Sequence, residues 1–218
     1  MTNLDVQHAV SGYWTARAPR FDGVASHVAQ SGIWREVLGA AFEADQPRDF
    51  VDLGTGTGAC ALIAASLGHR VRGYDGSEGM LAVARAVAEA QGYGVSFVAS
   101  TLQDAAIETA SADIVTLRNL LWTLEQPMEA LRTAHRILRP GGRVVISDGL
   151  WSVAPQYRST YPADVAARLP LHDGLTEERA RQMLDEAGFA PAKAWQHLFP
   201  ASPYPGDVPM FVLAAIRP

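Results

Sequence analysis

The chain has 218 residues, of which 48% are hydrophobic and 19% are charged, so it can build a full apolar core and is not a disordered chain. Its net charge is −5, Lys193 is its only lysine and it has no basic run, which argues against a nucleic-acid or anionic-membrane surface. The single cysteine, Cys60, excludes an internal disulfide and a cysteine-based zinc site.

The first 45 residues are mostly helical in pattern and carry large apolar side chains such as Tyr13, Trp14 and Trp34. A helical segment of this kind has to pack on the part of the chain that follows. We expect either a cap over a ligand crevice or a plain outer helix, and the pattern does not choose between them.

Residues 49–149 alternate between short apolar runs and helical stretches. The strands are predicted at 49–53, 70–74, 95–99, 114–117 and 144–147, with helices at 59–67, 77–91 and from Pro127 to a break at 139–142. Such alternation requires parallel pairing with helical crossovers. We therefore predict a Rossmann-like, doubly wound α/β fold, and we expect residues 49–149 to be its cofactor-binding core.

The rhythm changes after residue 149. Residues 150–175 are rich in proline and aromatic residues and are predicted to be an insertion or lid. Thr176 caps a further helix that Gly188 ends, and strands at 193–199 and 210–216 follow without a helix between them. The prediction is one domain with seven mostly parallel strands and an antiparallel hairpin at the C-terminal end of the sheet.

A glycine-rich turn follows the first predicted strand and is the most informative feature of the sequence. Residues 50–59 read FVDLGTGTGA, so an apolar run reaches Asp52 and then enters a turn from which a helix starts. Glycines there let bare backbone approach a ligand that a Cβ would hold off. The spacing also fits a dinucleotide site, but Asp52 would repel a pyrophosphate, and Asp75 after the second strand suits a ribose diol.

Four segments resemble one family. VDLGTGTG at 51–58 resembles motif I of the class I S-adenosylmethionine-dependent methyltransferases, and GYDGSEGML at 73–81 resembles their second motif. RILRPGGR at 136–143 is similar to the signature that precedes their fifth strand, and YWTARAPRFD at 13–22 looks like the opening of the family's small-molecule branch, which includes ubiquinone- and menaquinone-biosynthesis-like enzymes.

The resemblance implies S-adenosylmethionine as the cofactor and a set of residues that bind it. The glycines and Thr55 would lie along the methionine part, Asp75 would hold the ribose and Met80 would pack on the adenine. Thr101 stands where the family usually has an aspartate for the adenine amino group, and Asp104 is an alternative. The implied cofactor-binding residues are Asp52, Gly54, Thr55, Gly56, Gly58, Asp75, Gly76, Met80, Thr101, Leu102, Gln103, Leu117 and Arg118.

The implied reaction is transfer of the methyl group to a small molecule by in-line displacement. The protein mainly has to align the reacting atoms and exclude water, and a base is needed only for a protonated amine or a weakly acidic hydroxyl. Weak candidates for catalytic groups are Asp148, Asn119 and His172, although a lone loop histidine is usually solvated. The predicted substrate-binding residues are Trp14, Asn119, Trp122 and Trp151.

Two other functions remain open at this level. A relative on the same scaffold could bind the cofactor without methylating anything, and an NAD-dependent oxidoreductase is a weaker alternative. No apolar run reaches the ~20 residues that span a bilayer, and no secretion signal is visible, so we expect a cytoplasmic protein with a small-molecule substrate and no metal, nucleic-acid or membrane partner. The acceptor and the oligomeric state are not predicted.

Overall fold

The computed structural model describes residues 3–22, 30–153, 161–204, 206 and 208–218, with side chains described from residue 6 onward. Its helices are α1 (Asn3–Phe21), α2 (Ser31–Phe42), α3 (Ala59–Ser66), α4 (Glu78–Gln91), α5 (Pro127–Ile137), α6 (Ala163–Ala166) and α7 (Glu177–Glu186). Its strands are β1 (Asp49–Leu53), β2 (Arg70–Asp75), β3 (Ser96–Ala99), β4 (Ala112–Arg118), β5 (Leu138–Gly149), β6 (Lys193–Ala194) and β7 (Met210–Ile216).

The seven strands form one sheet in the order β3-β2-β1-β4-β5-β7-β6. The first five strands pair in parallel, whereas β7 is antiparallel to both β5 and β6. This confirms the predicted fold class. Because the strand order reverses between β1 and β4, a crevice opens at the carboxyl ends of these two strands, which is where ligands bind in such sheets.

Two apolar clusters cover the two faces of the sheet. Phe50 of β1 packs with α2 and α3 on one face, and its neighbour Val51 packs with α5 and α7 on the other. Alternating residues of a strand point to opposite faces, so a strand buried on both sides reads as a continuous apolar run. The two clusters hold the carboxyl ends of the strands in fixed positions.

The helix starts that the sequence predicts are observed. The Ser77 hydroxyl accepts a hydrogen bond from the Met80 amide at 3.2 Å at the start of α4, and the Thr176 hydroxyl accepts one from the Arg179 amide at 3.2 Å at the start of α7. Each bond satisfies an amide that has no partner inside its helix.

Helix α1 lies directly on the start of α4. A Cβ built on Gly79 would come within 2.9 Å of the Thr15 carbonyl oxygen, and one on Gly76 would come within 2.5 Å of the Ser11 hydroxyl. The hydroxyls of Thr15 and Ser77 are 2.9 Å apart. The two glycines therefore allow close contact between α1 and α4, which carries α1 across the crevice.

The predicted strand at 193–199 is wrong beyond its first residues. β6 ends at Ala194, and a 3-10 turn over Gln196–Leu198 follows. The Val212 amide of β7 donates to the Gln196 side-chain oxygen at 3.3 Å, and the side-chain nitrogen of Gln196 donates to Glu177 at 2.6 Å. The Gln196 side-chain oxygen thus accepts the hydrogen bond that a backbone carbonyl of a longer β6 would have accepted. The backbone pairing of β6 with β7 ends at this point.

The predicted break at 139–142 lies inside a longer strand. Ala112 pairs with Leu138 and Ile114 pairs with Arg143, so the residues between them form an irregularity within β5. Gly141 within it has φ 78°, a conformation that favours glycine.

The predicted insertion at 150–175 is only partly described, since residues 154–160 lie outside the described residues. The remainder holds a 3-10 turn (Trp151–Val153) and the short α6, and the Leu175 amide donates to the Gly149 carbonyl at 2.9 Å, which brings the segment back to the end of β5. None of the described helices combines the length and the hydropathy that crossing a bilayer requires.

Candidate functional site

A cavity of about 270 Å³ lies at the carboxyl ends of β1, β2 and β4. Most of the residues predicted for the site line it together: Trp14, Asp52, Gly54, Thr55, Gly56, Asp75, Gly76, Met80, Thr101, Leu102, Gln103, Arg118, Asn119, Trp122 and Trp151. Four predicted residues do not line it: Gly58, Leu117, Asp148 and His172.

The glycines of the turn after β1 serve different purposes. Gly56 has φ 56° and lines the cavity, and a Cβ built on it meets no atom within 4 Å. Gly58 has φ 88°, and its Cβ would come within 3.2 Å of Ala84 on α4, which is helix packing rather than ligand contact. Gly56 is therefore the point at which bare backbone faces open space, as an adenosyl cofactor requires.

Asp75 ends β2 and ties the glycine turn to it. Its carboxylate accepts from the Gly56 amide at 2.8 Å and from the Ser77 amide at 2.7 Å. Burial raises the pKa of Asp75, and the two amides act against that rise. Each oxygen keeps a further lone pair, so the carboxylate can still accept from the two hydroxyls of a ribose.

Asp52 is buried and held by two threonines. Its oxygens accept from Thr116 at 2.5 Å and from Thr55 at 2.7 Å. Burial raises the pKa of Asp52 to about 6, although both hydroxyls lower it. The carboxylate fixes the turn against β4, with one hydrogen bond at each of its oxygens.

Thr101 follows β3 at the far end of the cavity. Its hydroxyl donates to Asp104 at 2.6 Å, while Asp104 itself does not line the cavity. The Thr101 oxygen also accepts from the Asp104 amide at 3.3 Å, which leaves one lone pair for an adenine amino group. Met80, which is 3% exposed, lines the cavity between this site and the glycine turn, as the prediction of adenine packing requires.

The end of β4 presents a cation and an amide. The Arg118 guanidinium carbon lies 4.0 Å from the centre of the Trp34 ring, and its Nε and Nη2 atoms are buried without a hydrogen-bond partner. Asn119 has φ 52°, in the left-handed region, and its side chain donates to the Tyr204 hydroxyl at 3.2 Å. Leu117, one residue earlier, is 1% exposed and its side chain packs in the core beneath.

Aromatic rings enclose this end of the cavity. Trp122 lies 6.0 Å from Trp14 and 6.3 Å from Trp151, and Trp151 lies 5.1 Å from Tyr204, measured between ring centroids. The three predicted tryptophans are thus brought together from α1, the turn after β4 and the end of β5. Such walls exclude water and favour a planar or cationic group between them.

The two remaining candidates for catalytic groups lie behind the wall. Asp148 is 1% exposed and accepts from the Trp151 ring N–H and the Gly149 amide, both at 2.9 Å. Burial raises the pKa of Asp148 to about 7. His172 packs 5.7 Å from the Tyr161 ring. Neither side chain reaches the cavity in the structure, so Asp148 orients Trp151 and neither residue is placed to take a proton from a ligand.

The described residues that line the cavity include no histidine and no lysine. Their carboxylates are Asp52 and Asp75, which are both engaged in hydrogen bonds. Among all residues that the structure describes, no group of His, Cys, Asp and Glu side chains is arranged to hold a metal ion. The described lining can therefore bind and align molecules, and it supplies neither a histidine nor a lysine as a general base.

Several lining residues were not predicted. Gln7, Val10, Ser11, Arg17 and Phe21 come from α1, whose periodicity gave no hint of which face meets the cavity. Tyr204 comes from the loop between β6 and β7. The only feature of the sequence that pointed to this loop was the predicted C-terminal hairpin. The others flank predicted positions: Thr57, Ala59, Cys60, Tyr74, Ser100, Leu120, Thr123 and Leu124.

Helix α1 is fastened over the cavity at several points along its length. The Gln7 side chain accepts from the Glu125 amide at 3.0 Å, and Asp22, just after the helix, accepts from the Thr57 hydroxyl at 2.7 Å. Since Trp14 lies between these points and lines the cavity, α1 lies over the crevice.

Residues 51–146 match the family described as the methyltransferase domain. The chain is 28% identical over 155 residues to a demethylmenaquinone methyltransferase of Paenarthrobacter aurescens, covering 70% of this chain and 60% of that protein. It is 34% identical over 98 residues to a ubiquinone biosynthesis O-methyltransferase of Vibrio parahaemolyticus, covering 44% and 42%. The matched segments therefore span about three fifths or less of these curated relatives.

Solved structures share the fold over almost the whole chain. A methyltransferase of Thermotoga maritima, named as S-adenosylmethionine-dependent and as a possible histamine N-methyltransferase, has TM-score 0.64 at 18% identity and covers 98% of this chain and all of its own. The [4+2]-cyclase SpnF has TM-score 0.68 at 17% identity, covering 98% and 94%.

Proposed function

We infer that this chain, which belongs through residues 51–146 to the methyltransferase-domain family, transfers a methyl group from S-adenosylmethionine to a small organic acceptor. The observation that carries the proposal is the turn after β1, where Gly56 faces open cavity and its amide is held by Asp75. One cavity then offers both bare backbone and a sugar-binding carboxylate, as this cofactor needs.

The cofactor would occupy the half of the cavity formed after β1, β2 and β3. We assign Asp75 to the ribose hydroxyls, the backbone at Gly54–Gly56 to the methionine part and Met80 to the adenine face. The residues at 101–103 would meet the adenine edge, with the Thr101 oxygen accepting from the amino group. Gly58 and the Leu117 side chain have packing roles in this proposal.

S-adenosylmethionine supplies a methyl group on a positively charged sulfur, so the protein's task is alignment. Orientation of the reacting atoms can be worth about 7–11 kcal/mol. The tryptophans at 14, 122 and 151 would keep water out and face the positive sulfur with their ring surfaces. Helix α1 would hold Trp14 in place through its contacts with α4.

The acceptor would lie between these rings and the pair formed by Asn119 and Tyr204. The Tyr204 hydroxyl, which receives a hydrogen bond from Asn119, is placed to orient a polar atom of a planar acceptor. The curated relatives are named for menaquinone and ubiquinone biosynthesis, which supports a ring-shaped acceptor as the first class to test.

Isothermal titration calorimetry with S-adenosylhomocysteine is the direct test of cofactor binding. Saturable binding at one site per chain is expected, and no detectable binding would defeat the proposal. Incubation with S-adenosylmethionine and a panel of planar acceptors, analysed by mass spectrometry, then tests for a product that is heavier by one methyl group.

A second candidate is cofactor binding without methyl transfer. It has one observation in its favour: a fold neighbour that covers 98% of the chain is named as a [4+2]-cyclase. Tight binding of S-adenosylhomocysteine with no methylated product across the whole acceptor panel would favour this candidate over methyl transfer.

A further inference from the structure

Arg118 is half-buried in the wall of the cavity and has no carboxylate within hydrogen-bonding distance of its two buried nitrogens. Its Nε and Nη2 atoms have no hydrogen-bond partner, and its guanidinium rests on the Trp34 ring at 4.0 Å. Buried donor atoms without hydrogen bonds are costly, and such atoms in native structures call for an explanation.

The nearest carboxylates do not supply that partner. Both oxygens of Asp52 accept from threonine hydroxyls, and the Oδ1 atom of Asp148 accepts from Trp151 and Gly149. The Oδ2 atom of Asp148 is buried without a hydrogen bond, so it does not pair with Arg118 either. Arg118 stabilises the charge of both acids from a distance without a hydrogen bond to either. Its planar set of donors matches an oxyanion, to which a guanidinium can give two parallel bonds.

A second observation concerns proton transfer. The described lining residues include no histidine or lysine, and both of their carboxylates hold the glycine turn in place, so an acceptor that must lose a proton to the protein during methyl transfer is poorly served. An acceptor whose anionic oxygen is itself the atom that takes the methyl group has no proton to lose and needs no such base. Arg118 and the missing base therefore favour the same class of molecule.

We propose that Arg118 binds an anionic oxygen of the methyl acceptor, which makes the substrate a planar acid, carboxylated or with a readily ionised hydroxyl, rather than an amine. The inference rests on the proposed function and names its substrate class. The cofactor's own carboxylate is the other possible source of an oxyanion. Arg17 of α1 lines the same cavity and is solvent-exposed. We assign Arg17, rather than Arg118, to the carboxylate of the cofactor.

The test uses pairs of ligands of equal shape and different charge. Wild-type protein saturated with S-adenosylhomocysteine is titrated with benzoate and naphthoate, and then with benzamide and naphthamide. At least one carboxylate is expected to bind about tenfold more tightly than its amide, the scale of a hydrogen bond to a charged group. If no carboxylate binds more tightly than its amide, the inference is overturned.

The variant Arg118→Gln is expected to remove this preference, because the amide keeps donors but loses the charge. Arg132→Gln, the same change at an exposed site on α5, should keep it. Thermal unfolding establishes that both variants are folded. Should Arg118→Gln fail to fold, the wild-type comparison of carboxylate and amide still decides the question.

A separate arm identifies the source of the oxyanion. S-adenosylhomocysteine and methylthioadenosine, which lacks the amino-acid part, are titrated into Arg118→Gln. Unchanged affinity for both supports the acceptor as the source, whereas an about tenfold loss confined to S-adenosylhomocysteine assigns Arg118 to the cofactor and overturns the proposal. Failure of wild type to bind S-adenosylhomocysteine would defeat the proposed function itself, whereas such binding without a carboxylate preference overturns this inference alone.

Discussion

The two halves of the cavity are built from different material. The half after β1, β2 and β3 presents backbone, with Gly54 and Gly56 at positive φ and two amides fixed on Asp75. The half after β4 and β5 presents side chains that arrive from α1, from two turns and from the loop before β7. The first half is specified by one continuous turn, whereas the second depends on segments that meet only in the folded chain.

The halves also differ in how their polar atoms are satisfied. Asp52 and Asp75 have hydrogen bonds at every oxygen. In the other half, Arg118 Nε, Arg118 Nη2 and the ring N–H of Trp122 are buried without partners. The first half thus presents acceptors held by the protein's own hydrogen bonds, whereas the second presents donors that a bound molecule could satisfy.

The largest expected effect comes from placing a side chain in the backbone half. Gly56→Val should lower affinity for S-adenosylhomocysteine at least about 100-fold, because a β-branched residue is strained at positive φ and its atoms would occupy the ligand's space. Calorimetry measures the loss. Gly94→Val, where an added Cβ also meets nothing within 4 Å but no positive φ is required, should bind normally. Equal binding by both variants would contradict the cofactor placement.

Removal of the sugar-binding carboxylate should have the next largest effect. Asp75→Ala is expected to cost about 1.5–3 kcal/mol of S-adenosylhomocysteine binding, since it removes charged hydrogen bonds and releases the Gly56 amide. The matched change Asp104→Ala, outside the cavity, should cost much less. Competition calorimetry compares the two, and an unchanged affinity for Asp75→Ala would remove the basis of the assignment.

The buried acid behind the aromatic wall predicts a dependence of stability on pH. The pKa of Asp148 is raised to about 7 in the folded protein, against about 3.9 in an unfolded chain, so the folded state binds more protons between these values. Stability is therefore greatest below about pH 4 with respect to this group and falls as pH rises to about 7, by at most about 1.4 kcal/mol per pH unit.

Asp148→Asn tests this dependence, because an amide keeps an oxygen for Trp151 and Gly149 but does not titrate. Denaturant unfolding at several pH values should give a shallower slope for the variant. Asp52, whose pKa is raised to about 6, acts in the same direction in the other half and leaves part of the slope in place. An identical slope in both proteins would mean that Asp148 does not carry it.

The smallest expected effect comes from a change that should affect acceptor binding and leave cofactor binding unchanged. Tyr204→Phe removes the hydroxyl that Asn119 contacts and keeps the ring beside Trp151. A neutral hydrogen bond is worth about 0.5–1.5 kcal/mol, so naphthoate binding should weaken by about two- to tenfold. S-adenosylhomocysteine affinity should not change, and an equal loss for both ligands would show that the halves are not independent.

Much of the backbone half could be predicted because its determinants are local. The turn after β1 and the cap at Ser77 follow from residue types a few positions apart, and both are observed. The parallel core follows from the alternation of apolar runs and helices. The limits of β6 could not be predicted, since the Gln196 side chain takes the place of a strand carbonyl for Val212.

The side-chain half was only partly predictable. Asn119 and Trp122 adjoin a predicted strand end, where any residue is a candidate. Tyr204 and Asn119 are 85 positions apart in the sequence, and Gln7 and Glu125 are 118 positions apart. No local sequence pattern can predict contacts over such separations. Asp148 and His172 have suitable chemistry, but burial behind the wall separates them from the cavity.

The seat of α1 on Gly79 has a consequence for which acceptors the protein tolerates. A single methyl group there would push against the helix backbone at Thr15 and move α1 away from α4, although no residue that lines the cavity is substituted. The cavity next to the tryptophan rings would become larger. Larger molecules would then fit, but water would enter the cavity more easily. If the cavity binds the proposed acceptor, we expect the contact at Gly79 to limit how large that acceptor can be.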